Sequence, residues 1–127
     1  MQASSAGALP DDVLIVEDDP IIALDFEDRI LGFGVKAVRT AGNVARALVV
    51  IAERPPGFAL LDVGLVGENS LAIAARLDAL KIPFAFVTGY GADTKIPPAF
   101  ARRPRLPKPC SSDALLAVLQ RHAVRGG

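Results

Sequence analysis

Residues 13–20 read VLIVEDDP: four apolar residues, Val13 to Val16, then Glu17, Asp18, Asp19 and Pro20. A short, continuous, mostly β-branched run suits a strand buried on both faces, as in a parallel sheet. Asp19 is a good helix N-cap and Pro20 a good first helical residue. Ile22, Phe26 and Ile30 then recur every four residues on one helical face, and Gly32 and Gly34 end the helix. A strand, an acidic turn and a helix make the first unit of an α/β fold.

The same unit repeats along the chain. Val35 to Thr40 reads as a second strand, and Asn43 as the cap of a helix whose inner stripe is Val44, Ala47, Leu48 and Ile51. Val49 and Val50 fall off that stripe, as a contact surface or as buried packing. After Pro55, Pro56 and Gly57, a third strand runs from Phe58 to Leu61 and ends at Asp62. A loop from Gly64 to Asn69 leads to a helix over about 70–80, and Phe84 to Val87 forms strand four. Pro97, Pro98 and Pro104 leave the fourth connecting helix irregular or shortened. Arg105 to Pro107 is a short fifth strand at an edge, because Pro107 has no N–H to give a ladder. Ser111 or Ser112 caps a last helix to about Ala123. Alternating strands and helices predict a doubly wound, five-stranded parallel sheet of order 2-1-3-4-5. Residues 1–11 read as a flexible arm, 12–124 as one domain and 125–127 as a tail.

Bulk properties agree with one soluble domain. The 127 residues are 51% hydrophobic, enough for a packed core. Fourteen basic side chains balance fourteen acidic ones, which removes the electrostatic motive for binding nucleic acid or an anionic membrane. The cluster Arg102, Arg103, Arg105 and Lys108 reads as a local basic patch or, more simply, as a solvated connection. A single cysteine, Cys110, rules out an intrachain disulfide and reads as an inert thiol. The start of the chain lacks the basic and apolar regions of a signal peptide, and no apolar run has membrane-spanning length. The expected location is the cytoplasm.

The reactive side chains gather at strand ends. Glu17 and Asp18 follow strand one, Asp62 ends strand three, Thr88 follows strand four and Lys108 follows strand five. In an open α/β sheet the functional crevice lies at the carboxyl ends of the strands, where the strand order reverses. Strands one and three are neighbours in this order, so three carboxylates meet there. Two unit charges 4 Å apart repel by about 4 kcal/mol at an effective dielectric near 20, so a cation is expected. Hard carboxylate oxygens suit Mg²⁺, with Mn²⁺ as an alternative. Three carboxylates, a dication and the Lys108 ammonium sum to zero, which lets a phosphoryl group enter. Asp62 can be the nucleophile, and the Thr88 hydroxyl can donate to a phosphoryl oxygen.

The segments VLIVEDDP (13–20), FALLDVGL (58–65), PFAFVTGYG (83–91) and LPKP (106–109) resemble the signature regions of response-regulator receiver domains, over about residues 12 to 123. PFAFVTGYG with LPKP further resembles the FAT GUY subgroup, named for its PFxFATGY motif. The resemblance implies a flavodoxin-like receiver fold with Asp62 as phosphoacceptor. It implies a metal held by Asp18, Asp62 and the Gly64 carbonyl, with Glu17 acting through water. Thr88 is then the switch hydroxyl, Lys108 the ion-pairing cation, and the Lys108–Pro109 bond cis. The implied donor is a histidine kinase or a histidine phosphotransfer protein. Output passes to a downstream protein partner, with no nucleic acid and no membrane involved. Such a domain catalyses only its own phosphorylation and dephosphorylation.

Two departures from the family stand out. Gly64 replaces a side chain at the pocket rim, and Arg105 stands where many receivers carry an aromatic switch residue. Tyr90, the one tyrosine, either covers the phosphorylation site and reports its state or packs on the sheet edge. His122 reads as a solvated or capping residue. Two other functions compete. One is a phosphorylation-independent, degenerate receiver that acts as an interaction module. The other is a phosphatase-like enzyme working through an aspartyl phosphate. The latter wants an acid–base aspartate two residues after its nucleophile, where this chain has Gly64.

Overall fold

A computed structural model describes residues 9–64, 70–89, 96, 98–100 and 102–126, with side chains described up to residue 121. Five strands form one parallel sheet: β1 (Asp12–Val16), β2 (Ala37–Ala41), β3 (Phe58–Asp62), β4 (Phe84–Thr88) and β5 (Arg105–Pro107). Their order is β2-β1-β3-β4-β5. Four helices connect or follow them: α1 (Pro20–Phe33), α2 (Val44–Glu53), α3 (Leu71–Ala79) and α4 (Ser112–Gly126). Among the described residues, the connection from β4 to β5 has only a 3₁₀ turn over Pro98–Phe100. No helix of the described residues is long and apolar enough to cross a membrane.

The apolar runs are buried on both sides because each strand feeds two cores. Leu14, Val16, Ala59, Leu61, Phe84 and Phe86 face the core under α2 and α3. Val13, Ile15, Phe58, Leu60, Ala85 and Val87 face the core under α1 and α4. Sheet pleating sends successive side chains to opposite faces, so an unbroken apolar run serves both. Phe84, Phe86 and Phe100 pack edge-on with centroids 5.5–6.3 Å apart, which seats the 3₁₀ turn on β4. Arg103 adds a cation over the Phe84 ring at 4.5 Å and pairs with Asp78 of α3.

The helix ends follow local chemistry. The Asp19 carboxylate accepts from Ile21 N–H (2.9 Å) and Ile22 N–H (3.4 Å) at the start of α1. Gly34 closes α1 with φ 111°, a left-handed backbone suited to glycine. Asn43 caps α2 through Arg46 N–H at 2.8 Å, and Ser111, not Ser112, caps α4 through Ala114 N–H at 3.1 Å.

Some expectations shift. The second strand is Ala37–Ala41; Val35 precedes it as a buried loop residue. Val50 lies in the core and only Val49 is exposed, so the pair does not form one contact surface. The helix turns far enough that residue 50 joins Ala47 and Ile51 on the inner face. Leu9 packs against the α1–α4 core and Pro10 is buried, although composition assigned both to the terminal arm. At the base of the sheet, Asp12 accepts a bidentate fork from Arg39 (3.1 and 2.7 Å) and a bond from Arg54 Nε (3.0 Å).

Candidate functional site

Strand register brings the acids together. Val16 of β1 pairs with Leu61 of β3, so Glu17 and Asp62 leave the sheet at the same level. Asp62 pairs with Val87 of β4, which puts Thr88 one step beyond it. Thr88 pairs with Pro107 of β5, and the Lys108 N–H donates to the Thr88 carbonyl at 2.9 Å. Glu17, Asp18, Asp62, Thr88 and Lys108 are thereby gathered at the carboxyl end of the sheet.

Lys108 Nζ lies 2.8 Å from Glu17 Oε1 and 3.2 Å from Asp62 Oδ2, bridging the two carboxylates. The other Asp62 oxygen, Oδ1, accepts the Gly64 N–H at 3.0 Å. Glu17 Oε2 accepts the Asp19 N–H at 3.1 Å. Glu17 Oε1, fully buried, makes no aligned hydrogen bond among the described residues; the Lys108 ammonium is the cation beside it. Glu17 and Asp62 are only 4% and 3% exposed, an unusual burial for two acids sharing one lysine. Lys108–Pro109 is a cis peptide bond.

Carboxylate oxygens of Glu17, Asp18 and Asp62 lie within 4.8 Å of one another. Opposite ligands of an octahedral ion with 2.0–2.1 Å bonds lie about 4 Å apart, so these donors can surround one hard dication directly or through water. The donor chemistry, three carboxylates within reach of one ion, fits a metal. Beside the acids opens a cleft of about 390 Å³, lined by Glu17, Asp18, Pro20, Leu24 and Thr40 among others. A larger cleft of about 530 Å³ lies at the other end of the sheet, around Asp11, Asp12 and Arg54, away from this cluster.

Burial pushes the Glu17 carboxyl up to about 7; Lys108 and the Asp19 N–H oppose the rise, and the Asp62 charge adds to it. Burial acts to lower the Lys108 ammonium, but the Glu17 and Asp62 carboxylates outweigh it and the net direction is upward. Burial likewise pushes the Cys110 thiol up, away from the reactive thiolate.

The Glu17 shift predicts a pH dependence. The folded state holds this proton more tightly than the unfolded chain, whose carboxyl titrates near 4.5. The stabilisation is therefore complete below pH 4.5 and is lost as the pH rises to about 7. It amounts to about 3 kcal/mol at most. With chelator present, urea stability of the wild type relative to Glu17→Gln should fall across that window. A divalent cation, which the ionised pocket could hold, should restore it at pH 8. Parallel profiles for wild type and Glu17→Gln would refute the shift.

The structure also shows contacts that periodicity does not suggest. The Arg29–Asp25 pair is visible as an i, i+4 helical spacing. The bond from Arg29 Nη1 to the Cys110 carbonyl, 81 residues away, is not. Tyr90 and most of the loop after Gly64 lie outside the described residues, as does the His122 side chain.

No family model matches the chain. It is similar to SdrG from Sphingomonas melonis Fr1, 37% identical with a TM-score of 0.77, covering 89% of this chain and 95% of that one. It is similar to the receiver domain of NtrX from Brucella abortus, 26% identical with a TM-score of 0.79, covering 89% and 98%. It is also 32% identical over 88 residues to the phyllosphere-induced regulator PhyR of Methylorubrum extorquens, covering 67% of this chain and 33% of that protein. The chain spans about a third of the length of the curated relatives it matches.

Proposed function

Because this chain belongs to the response-regulator receiver domains, we propose that it carries a phosphoryl group on Asp62, taken from a phosphohistidine. The observation that carries the reading is the Lys108 ammonium lying between Glu17 Oε1 and Asp62 Oδ2, with Asp18 completing an acidic cluster. A buried aspartate with a cation on one oxygen and a backbone N–H on the other is held in place for attack.

In the transfer an Asp62 oxygen attacks phosphorus and the phosphorus–nitrogen bond breaks. The bonding pair stays on the imidazole nitrogen, which then takes up a proton. An acyl phosphate results. In the later hydrolysis, water attacks phosphorus, the phosphorus–oxygen bond to Asp62 breaks, and inorganic phosphate leaves the free carboxylate behind. Lys108, 3.2 Å from Asp62, is close enough to follow the new negative charge onto a phosphoryl oxygen. The Thr88 hydroxyl is assigned to a second phosphoryl oxygen and shifts with it. Asp18, Asp62 and the Gly64 carbonyl would hold Mg²⁺ (or Mn²⁺) directly, with Glu17 behind a water. The ion supplies neutralisation of phosphoryl charge.

The donor is a histidine kinase or a histidine phosphotransfer protein, and the output passes through protein–protein contact in the cytoplasm. Residues 12–124 form the functional unit, and PFAFVTGYG supports placement in the FAT GUY subgroup, with Tyr90 reporting the state of the site. The chain is a signalling domain, acting on its own aspartate alone. Incubation with acetyl phosphate and Mg²⁺ should add one phosphate to the intact mass, and chelator should prevent it. A wild-type mass that never changes would refute the function and leave a phosphorylation-independent interaction module.

A further inference from the structure

Lys108 sits at the start of a loop that is fastened at both ends. Its own N–H donates to the Thr88 carbonyl at 2.9 Å, and Ser111 caps α4 just downstream through Ala114 N–H at 3.1 Å. Between them, the Cys110 carbonyl receives a 2.8 Å hydrogen bond from Arg29 Nη1, reaching across from α1. Arg29 is itself fixed. Nε and Nη2 donate to Asp25 Oδ2 at 3.1 and 2.6 Å, and the guanidinium carbon lies 5.3 Å from the centroid of the buried Phe26 ring. One edge of the planar fork is held by Asp25, so the remaining nitrogen is aimed at Cys110.

We propose that Arg29 is a positioning residue for the phosphoryl-transfer site: by holding the Cys110 carbonyl it sets the loop that places the Lys108 ammonium between Glu17 and Asp62. The inference rests on the functional reading above. Arg29 is on the third turn of α1, beyond the acidic pocket, and touches neither Asp62 nor Glu17 through any described bond, so its effect on transfer is indirect, and Lys108 is the site residue on the loop it holds. A plain tether between α1 and α4 is the competing role, and it would act whether or not Lys108 is present.

The test is a double-mutant cycle on the rate of phosphate-adduct formation with acetyl phosphate and Mg²⁺, with urea stability measured alongside. Arg29→Ala should slow the wild type about tenfold, since a displacement of about 1 Å costs up to about 10² in rate. In a Lys108→Ala background, followed over longer incubations, the same change should leave the rate within about twofold, because the two act through one group. Arg29→Lys keeps a cation over Phe26 without the fork, and should lose about threefold in a protein that folds as the wild type does. Equal slowing in both backgrounds, or none in the wild type, overturns the inference while the functional reading stands. A wild type that takes no phosphate overturns the reading and the inference together.

Discussion

Asp62→Asn should take no phosphate at all while remaining folded. The substitution is isosteric, and an asparagine carbonyl can still accept the Gly64 N–H that meets Asp62 Oδ1 at 3.0 Å. A neutral amide oxygen cannot replace a carboxylate as the nucleophile, so the loss of transfer is complete, with no partial activity to rescue. A second consequence separates this site from an incidental surface acid. The Asp62 charge is one of the causes that raise the Glu17 carboxyl, so its removal should bring Glu17 down from about 7 toward its ordinary range. Intact mass reads the first effect, and the pH dependence of urea stability under chelation reads the second. A phosphate adduct of wild-type yield on Asp62→Asn would move the acceptor elsewhere and end the assignment.

Lys108→Ala should act on rate and on stability, with different pH dependence. Its ammonium is the cation within 3.2 Å of both buried carboxylates. Losing one preorganised charge donor of this kind costs about 10²–10³ in rate. Stability should fall by about 1–3 kcal/mol, below the 3–5 kcal/mol of a fully buried broken pair, because the lysine is partly exposed. Part of even that loss is avoidable near pH 6. There Glu17, with its carboxyl raised to about 7, already holds its proton with or without Lys108 and leaves no unpaired charge. The stability gap between Lys108→Ala and wild type should therefore be smaller at pH 6, where only the Asp62 pair is lost, than at pH 9, where both are. A gap that does not change with pH would mean that Glu17 is not the group Lys108 neutralises.

Much of this site is legible in the sequence. Val13 to Val16 and Phe58 to Leu61 are apolar at every position, which suits a strand covered on both faces, and the two cores on either side of the sheet bear this out. Given parallel strands in the order 2-1-3-4-5, the residues just past each run have to converge, and Glu17, Asp62, Thr88 and Lys108 do. Caps at Asp19 and Asn43 were equally readable, because a cap depends on residues two or three positions away.

Burial, and what it does to charge, was not readable in that way. Nothing local to Glu17 says that it lies 4% exposed with its carboxyl pushed to about 7. The desolvation comes from neighbours brought in by β2, β3 and the Lys108 loop. The same holds for the Arg39 fork on Asp12, for Phe100 against Phe84 and Phe86, for Val50 turning inward, and for Arg29 reaching Cys110. By itself, then, the sequence determined the strands, the helices, their order and the chemical types assembled at the sheet's carboxyl end, because backbone preference and hydrophobic period are short-range properties. The tertiary structure alone decided which oxygen meets which nitrogen and how dry each group is, because those depend on distances between residues far apart in the chain, which only packing sets.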